Sequence, residues 1–219
     1  MRAQYTAELE QLRLQVEVMA VRVDQNLERM RTVLDTGSED VAGQAIEADD
    51  EIDAMNLSLT ERCYDLLRRE QPVAADLRLV MSVIRITGEL ERVGDLALRV
   101  VKLAPDHGLV SSCRRTWDIV IAMADEAIER YREAMRAWGT EDLGLATELS
   151  HRSKVMTALS ERLGAELPAL EGPDAAAIAV RTLVAGQALD RIADHAAVMG
   201  ARMRYLITGD PNHLAAEVR

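Results

Sequence analysis

An all-α fold made of two tandem three-helix bundles is what this sequence predicts, and three observations carry that expectation. Apolar residues recur at spacings of three and four over long stretches, the mark of amphipathic helices. Aromatic content is 3% with no Phe, while Leu, Ala, Met and Glu are plentiful, a composition suited to close helix packing and poor in the β-branched and aromatic bias of sheets. Finally, residues 89–97 (E-L-E-R-V-G-D-L-A) return 99 positions later at 188–196 (A-L-D-R-I-A-D-H-A), and a long fixed period signals one unit built twice.

The first helix carries Leu9, Leu12, Val16, Met19, Val23, Leu27, Met30 and Leu34 on one stripe and ends near Gly37. A second runs from about Glu39 to Arg69, with its stripe at Val41, Ala45, Ala48, Ile52, Met55, Leu59, Cys63 and Leu66, until Gln71-Pro72 interrupts it. The third, about Ala74 to Leu103, has one wholly apolar stripe at Val83, Ile86, Leu90, Val93, Ala97 and Val100. Pro105-Asp106-His107-Gly108 reads as a loop between repeats. Helices at roughly 112–138, 140–167 and 173–207 then repeat the pattern. The expected division is a first repeat over 1–104, a linker over 105–111, a second repeat over 112–208 and a frayed tail over 209–219. Connections this short make the six long helices antiparallel to their neighbours. Gly37-Ser38-Glu39-Asp40-Val41 also recurs, as Gly139-Thr140-Glu141-Asp142-Leu143, at an offset of 102.

Charge and targeting signals narrow the function. A net charge of −11 repels nucleic acid and anionic lipid, so nucleic acid is not an expected partner. No run of eighteen apolar residues is present to span a bilayer, and no signal peptide is recognisable, which predicts a cytoplasmic protein. The two cysteines, Cys63 and Cys113, fit free thiols in a reducing compartment. No phosphate loop, Cys-x-x-Cys pair, serine elbow or His-Glu-x-x-His helix occurs, so an enzyme is not expected.

The remaining stripe of the third helix holds the chemistry. It reads Leu77, Met81, Ile84, Gly88, Glu91, Asp95 and Leu98, and its counterpart reads Val180, Leu183, Gln187, Asp190, Asp194, Ala197 and Ala201. Carboxylates four residues apart share one helix face and can share a metal ion. Asp49 and Asp53 on the second helix have the same spacing, and an antiparallel pairing brings them opposite Glu91 and Asp95. Such hard oxygen donors select Mg, Mn, Fe or Zn. Spacing alone is weak, because 37 acids in 219 residues give about six such pairs by chance; recurrence at equivalent positions strengthens it. At the offset of 102, Asp49 maps to His151 and Asp53 to Val155, leaving His151 as the second repeat's facing ligand beside Asp190 and Asp194. Gly88 and Gly94 serve close helix approach or metal access. Leu14, Val18 and Val21 form a second stripe on the first helix, either buried in the body or docked on a partner.

The run Gln71-Pro72-Val73-Ala74-Ala75-Asp76-Leu77-Arg78-Leu79-Val80-Met81, followed by Glu89-Leu90-Glu91-Arg92-Val93-Gly94-Asp95, closely resembles the PhoU family, over essentially residues 5–208. That resemblance implies a cytoplasmic negative regulator of the phosphate-starvation response. Its implied partners are the ATPase subunit of a phosphate transporter, a sensor histidine kinase and a second copy of itself, with the membrane reached only through those proteins. It also implies metal clusters at the acidic helix motifs, here Glu91 with Asp95 and Asp190 with Asp194, with Asp49 and Asp53 as partners in the first repeat. The competing reading is a di-metal carboxylate enzyme or metal store, although neither motif helix carries the Glu-x-x-His of ferritin-like bundles.

Overall fold

The computed structural model describes residues 2–151 and 153–218. Helices α1 (Arg2–Thr36), α2 (Glu39–Glu70) and α3 (Ala74–Val101) pack on one another as one bundle. The second is made of α5 (Arg114–Thr140), α6 (Leu143–Leu149), α7 (Lys154–Glu166) and α8 (Ala175–Thr208), in which α6 and α7 stand where one continuous helix was expected. The bundles meet through α3 on α8 and α1 on α5, so both motif helices lie at the centre of the molecule. No helix is long and apolar enough to cross a membrane among the described residues.

All eight predicted core residues of α1 are buried, as are all six of the apolar α3 stripe. Each of the Val, Leu, Ile and Met side chains among them contributes roughly 1.5–3 kcal/mol by leaving water. The second α3 stripe behaves differently: Leu77 and Met81 are exposed and Ile84 is half-buried, so this face is a margin of the bundle and not a closed seam. Leu14, Val18 and Val21 are each more than half exposed, which removes the reading that they pack inside the six-helix body.

The turns correct the expected register. Gly37 closes α1 in the left-handed conformation (φ +68°), donating to the Val33 carbonyl at 2.8 Å, and Ser38 caps α2 by accepting from the Val41 N–H. In the second bundle the left-handed residue is Glu141 (φ +50°) and the cap is Asp142, accepting from Leu145 N–H at 3.0 Å. Gly139 still lies inside α5. The structural offset is therefore 104, and the shared Gly-Ser/Thr-Glu-Asp chemistry marks similar composition two residues out of step. Burial follows the same offset: Ala42, Ala45, Ile52 and Leu59 are matched by Ala146, Leu149, Met156 and Leu163.

Residues 105–111, expected to be a linker, belong to a 3-10 turn at Ala104–Asp106 leading into the short helix α4 (His107–Ser111). The His107 ring fixes this junction, with Nε2 3.0 Å from the Leu34 carbonyl and an edge contact to Trp117. Pro211–Val218 is a run of 3-10 turns lying on α8 where a frayed tail was expected. The α1–α5 seam is polar: Tyr131, buried, donates to the Ala20 carbonyl at 2.7 Å, and Arg132 grips Asp24 through two bonds at 2.8 and 3.2 Å.

Close packing of α8 on α6 depends on Gly200. A Cβ there would lie 2.7 Å from Leu149 Cβ, 2.9 Å from Ser150 N and 3.0 Å from the Ala146 carbonyl oxygen. Two of these neighbours are backbone and cannot rotate away. Gly200→Ala gains about 1 kcal/mol of helix propensity but incurs overpacking of about 2 kcal/mol, so a net loss of about 1 kcal/mol is expected in urea unfolding. Gly186→Ala, which meets the flexible end of Leu163, is the control expected to cost less.

Candidate metal centre

Asp49 sits at the α2–α3 contact and is 8% exposed, with no hydrogen-bond or ion-pair partner among the described residues. Burial pushes its carboxyl up to about 6, and the neighbouring charges of Asp53, Asp95 and Glu91 push it the same way. Asp53 is raised by burial and then by Asp95 and Asp50; Glu91 is raised by burial and then by Asp95 and Asp53. The four carboxylates predicted to face one another across these two helices are thus close enough to repel. Among the described residues no cation cancels this around Asp49, and a bound metal ion would.

Gly94 makes the room. A Cβ at that position would lie 3.0 Å from Asp49 Oδ1 and against Ile52, so the glycine is a cradle for the carboxylate. Its counterpart 99 residues on is Ala193. Gly88, by contrast, faces open space. Asp53 and Asp95 are exposed and Glu91 is half-buried. Among the described residues no three Asp, Glu, His or Cys side chains are gathered tightly enough to hold one ion. The donor chemistry and the cradle fit a hard cation, and the two exposed aspartates are the side chains that would have to swing inward.

The second bundle lacks the facing acids. At the structural offset of 104, Asp49 corresponds to Ser153 and Asp53 to Thr157. Ser153 is the N-cap of α7, accepting from Met156 N–H at 3.0 Å and donating to Glu126 Oε1 at 2.5 Å. His151 corresponds to the exposed Glu47 and is itself exposed between α6 and α7. Its carbonyl accepts from Arg130 at 2.7 Å. His151 is therefore not brought into the site with Asp190 and Asp194, and the offset of 102 that placed it there is the source of the error. Asp190 and Asp194 are half-buried on α8. Asp95 and Asp194 both line a cleft where α3 crosses α8.

A buried group escaped the sequence reading. Glu89, 1% exposed, lies at the α3–α8 crossing with His195 Nδ1 at 2.5 Å, Arg85 at 3.1 Å and Arg92 at 3.2 Å. A glutamate within an apolar helix was the available signal, since buried charge needs such partners.

Comparison with known proteins agrees with this architecture. A family model described as the PhoU domain matches residues 16–104. The chain is 30% identical over 217 residues to a phosphate-specific transport system accessory protein PhoU homolog of Pseudomonas aeruginosa, covering 96% of this chain and 88% of that one. It is 34% identical over 148 residues to the PhoU accessory protein of Escherichia coli, covering 59% of this chain and 61% of that one. The crystal structure of PhoU from Pseudomonas aeruginosa superposes with a TM-score of 0.88 at 28% identity, over 94% of this chain and all of that one. PhoU from Streptococcus pneumoniae, at 20% identity, shares the fold with a TM-score of 0.83 over 94% of this chain and 98% of that one. Identity and coverage across both repeats place this chain in the PhoU family.

Proposed function

We propose that this protein is a cytoplasmic negative regulator of the phosphate-starvation response. It acts as an adaptor between the ATPase subunit of a phosphate-specific transporter and a sensor histidine kinase, and it performs no catalysis. The observation that carries this reading is the near full-length similarity to accessory proteins of phosphate-specific transport systems. The exposed apolar stripe of Leu14, Val18 and Val21 is a surface on which a protein partner, or a second copy in a homodimer, gains by burial. Deleting the gene in cells grown on abundant phosphate is expected to switch on alkaline phosphatase or another starvation reporter, and the intact gene to silence it. A reporter that stays silent in the deletion, in a host with no second copy, would sink the proposal.

The acidic cluster of the first bundle supports a second element of the same reading. Asp49, Asp53, Glu91 and Asp95 take up a hard metal ion such as Mg, Mn, Fe or Zn, which relieves their repulsion and tunes the adaptor's surface. In the second bundle Asp190 and Asp194 have Ser153 and Thr157 at the facing positions, so one occupied cluster per chain is the expectation. Metal analysis of the purified protein against its Asp49→Asn variant tests this, with equal metal content as the contrary result.

A further inference from the structure

The six-helix body leaves the outward face of α2 uncovered, and that face has a chemistry of its own. Ile46, Leu57 and Tyr64 on it are 47%, 62% and 61% exposed, while Ile52, Leu59, Cys63 and Leu66 fill the opposite side of the helix and are buried. The spacings of eleven and seven positions bring the three exposed side chains within about 20° of one line, a stripe about 27 Å long. The antiparallel register fixed by Asp49 against Gly94 sets Leu77 and Met81, exposed on the margin of α3, beside its Tyr64 end. We propose that this face docks an amphipathic helix of a partner protein, about five turns long, with an apolar stripe laid against Ile46, Leu57 and Tyr64 and with Lys or Arg along its flank.

Charge decides the partner's sign. From Glu39 to Glu61 the chain holds no Lys, Arg or His. Glu47, Asp50 and Glu61 lie exposed beside the stripe with no ion-pair partner among the described residues, whereas Glu51, farther round the helix, is held by Arg22. Asp49 and Asp53 belong to the metal cluster and are not needed here. Three unpaired carboxylates along one flank repel an acidic segment and an anionic bilayer, and they draw a basic segment in. Such charge sets specificity and association rate, while the apolar anchors supply most of the affinity. A second copy of this chain is a poor occupant, because twofold docking of the face on itself would set these acids against one another. The second bundle has no equivalent: at the structural offset of 104, Ile46, Leu57 and Tyr64 correspond to Ser150, Glu161 and Pro168. The stripe is therefore a property of the first repeat and not of the bundle as such.

This gives the adaptor a surface separate from the Leu14, Val18 and Val21 stripe of α1. It rests on the adaptor reading in one respect, that the chain has a protein partner. Its binding test needs no cell and the reporter test needs no peptide, so the two ideas fail separately.

The test is fluorescence anisotropy of a labelled peptide titrated with the full chain. The probe is a helical peptide of about twenty residues with Leu along one face, Lys flanking it and Ala elsewhere; its companions replace every Leu by Gln or every Lys by Glu. The parent peptide is expected to bind, and both companions to bind about tenfold more weakly or worse. Ile46→Gln combined with Leu57→Gln is expected to weaken binding of the parent peptide by about tenfold or more. Asp50→Lys combined with Glu61→Lys is expected to weaken it by about fivefold, with a shallower dependence on salt. Glu161→Lys combined with Glu171→Lys makes the same change of net charge on the second bundle and is expected to alter binding by less than about twofold. All six positions are exposed and the replacements are good helix formers, so unchanged helical circular dichroism verifies that each variant is folded. No binding of the parent peptide up to about 1 mM, equal binding of the Gln companion, or binding unchanged in either α2 variant would each overturn the proposal. So would a loss in the second-bundle control as large as that in the α2 acid pair.

Discussion

Glu89→Ala is expected to destabilise the chain by about 3 kcal/mol, the largest effect of any single polar substitution in it. Glu89 is the buried acid of the central seam, accepting from Arg85, Arg92 and the His195 ring. Truncation removes charge-assisted bonds worth about 1.5–3 kcal/mol each before relaxation, and it leaves a cavity between α3 and α8. Relief comes from Arg85 and Arg92, which are 34% and 51% exposed and turn their heads to water; this keeps the cost at the low end for a broken buried pair. Glu89→Gln retains an acceptor for one arginine and should lose about half as much. Urea unfolding with an unchanged m-value reports the difference directly. Both variants falling within about 0.5 kcal/mol of the parent would show that the seam does not need this acid.

Asp49→Asn has the opposite sign in the absence of metal. The carboxyl rises from 3.8 in the unfolded chain to about 6 in the folded one. The folded state therefore binds more protons between those values, and stability falls as pH rises through that window. Above about pH 6 the ionised carboxylate is a standing cost of about 2 kcal/mol, reduced from the full shift because part of the group reaches water. The asparagine variant is expected to be more stable than the parent by that amount at pH 7 in EDTA, with no difference near pH 3.5. Adding Mn or Zn reverses the order, since only the parent gains from ligand binding. A parent that is no less stable than the variant at pH 7 in EDTA would refute the account of the buried charge.

The stripes of α1 and α3 were legible because helical spacing alone decides which side chains meet: Leu12, Val16, Met19 and Val23 needed no partner to be named before they could be placed inside. The facing acids of the first bundle were legible for the same reason, since Asp49/Asp53 and Glu91/Asp95 are local spacings on neighbouring antiparallel helices. His151 went wrong through a turn. Gly139-Thr140-Glu141-Asp142 imitates Gly37-Ser38-Glu39-Asp40 in composition, yet the chain reverses at Glu141 and caps at Asp142, and two residues of slip carry a side chain to the other face of a helix. The interruption between α6 and α7 had its own signal in Ser150 and Ser153, both cap formers set within a helical pattern. The burial of Glu89 stayed hidden because the helix that covers it, with His195, lies 106 residues away, a distance that no periodicity reports.

The pairing of Glu89 with His195 also decides how the two halves recognise each other. Were the repeats identical and packed about a twofold axis, every contact between them would occur twice, as in an isologous dimer. This one occurs once: the repeat-equivalent positions, Ala188 and Leu96, are apolar. One side of the seam is thus polar and the other apolar. A second copy of the first repeat, brought to the same surface, would present Leu96 to Glu89 and leave a buried carboxylate without its imidazole. The seam is therefore written for one orientation and one partner, and duplication has become a heterodimer carried on a single chain.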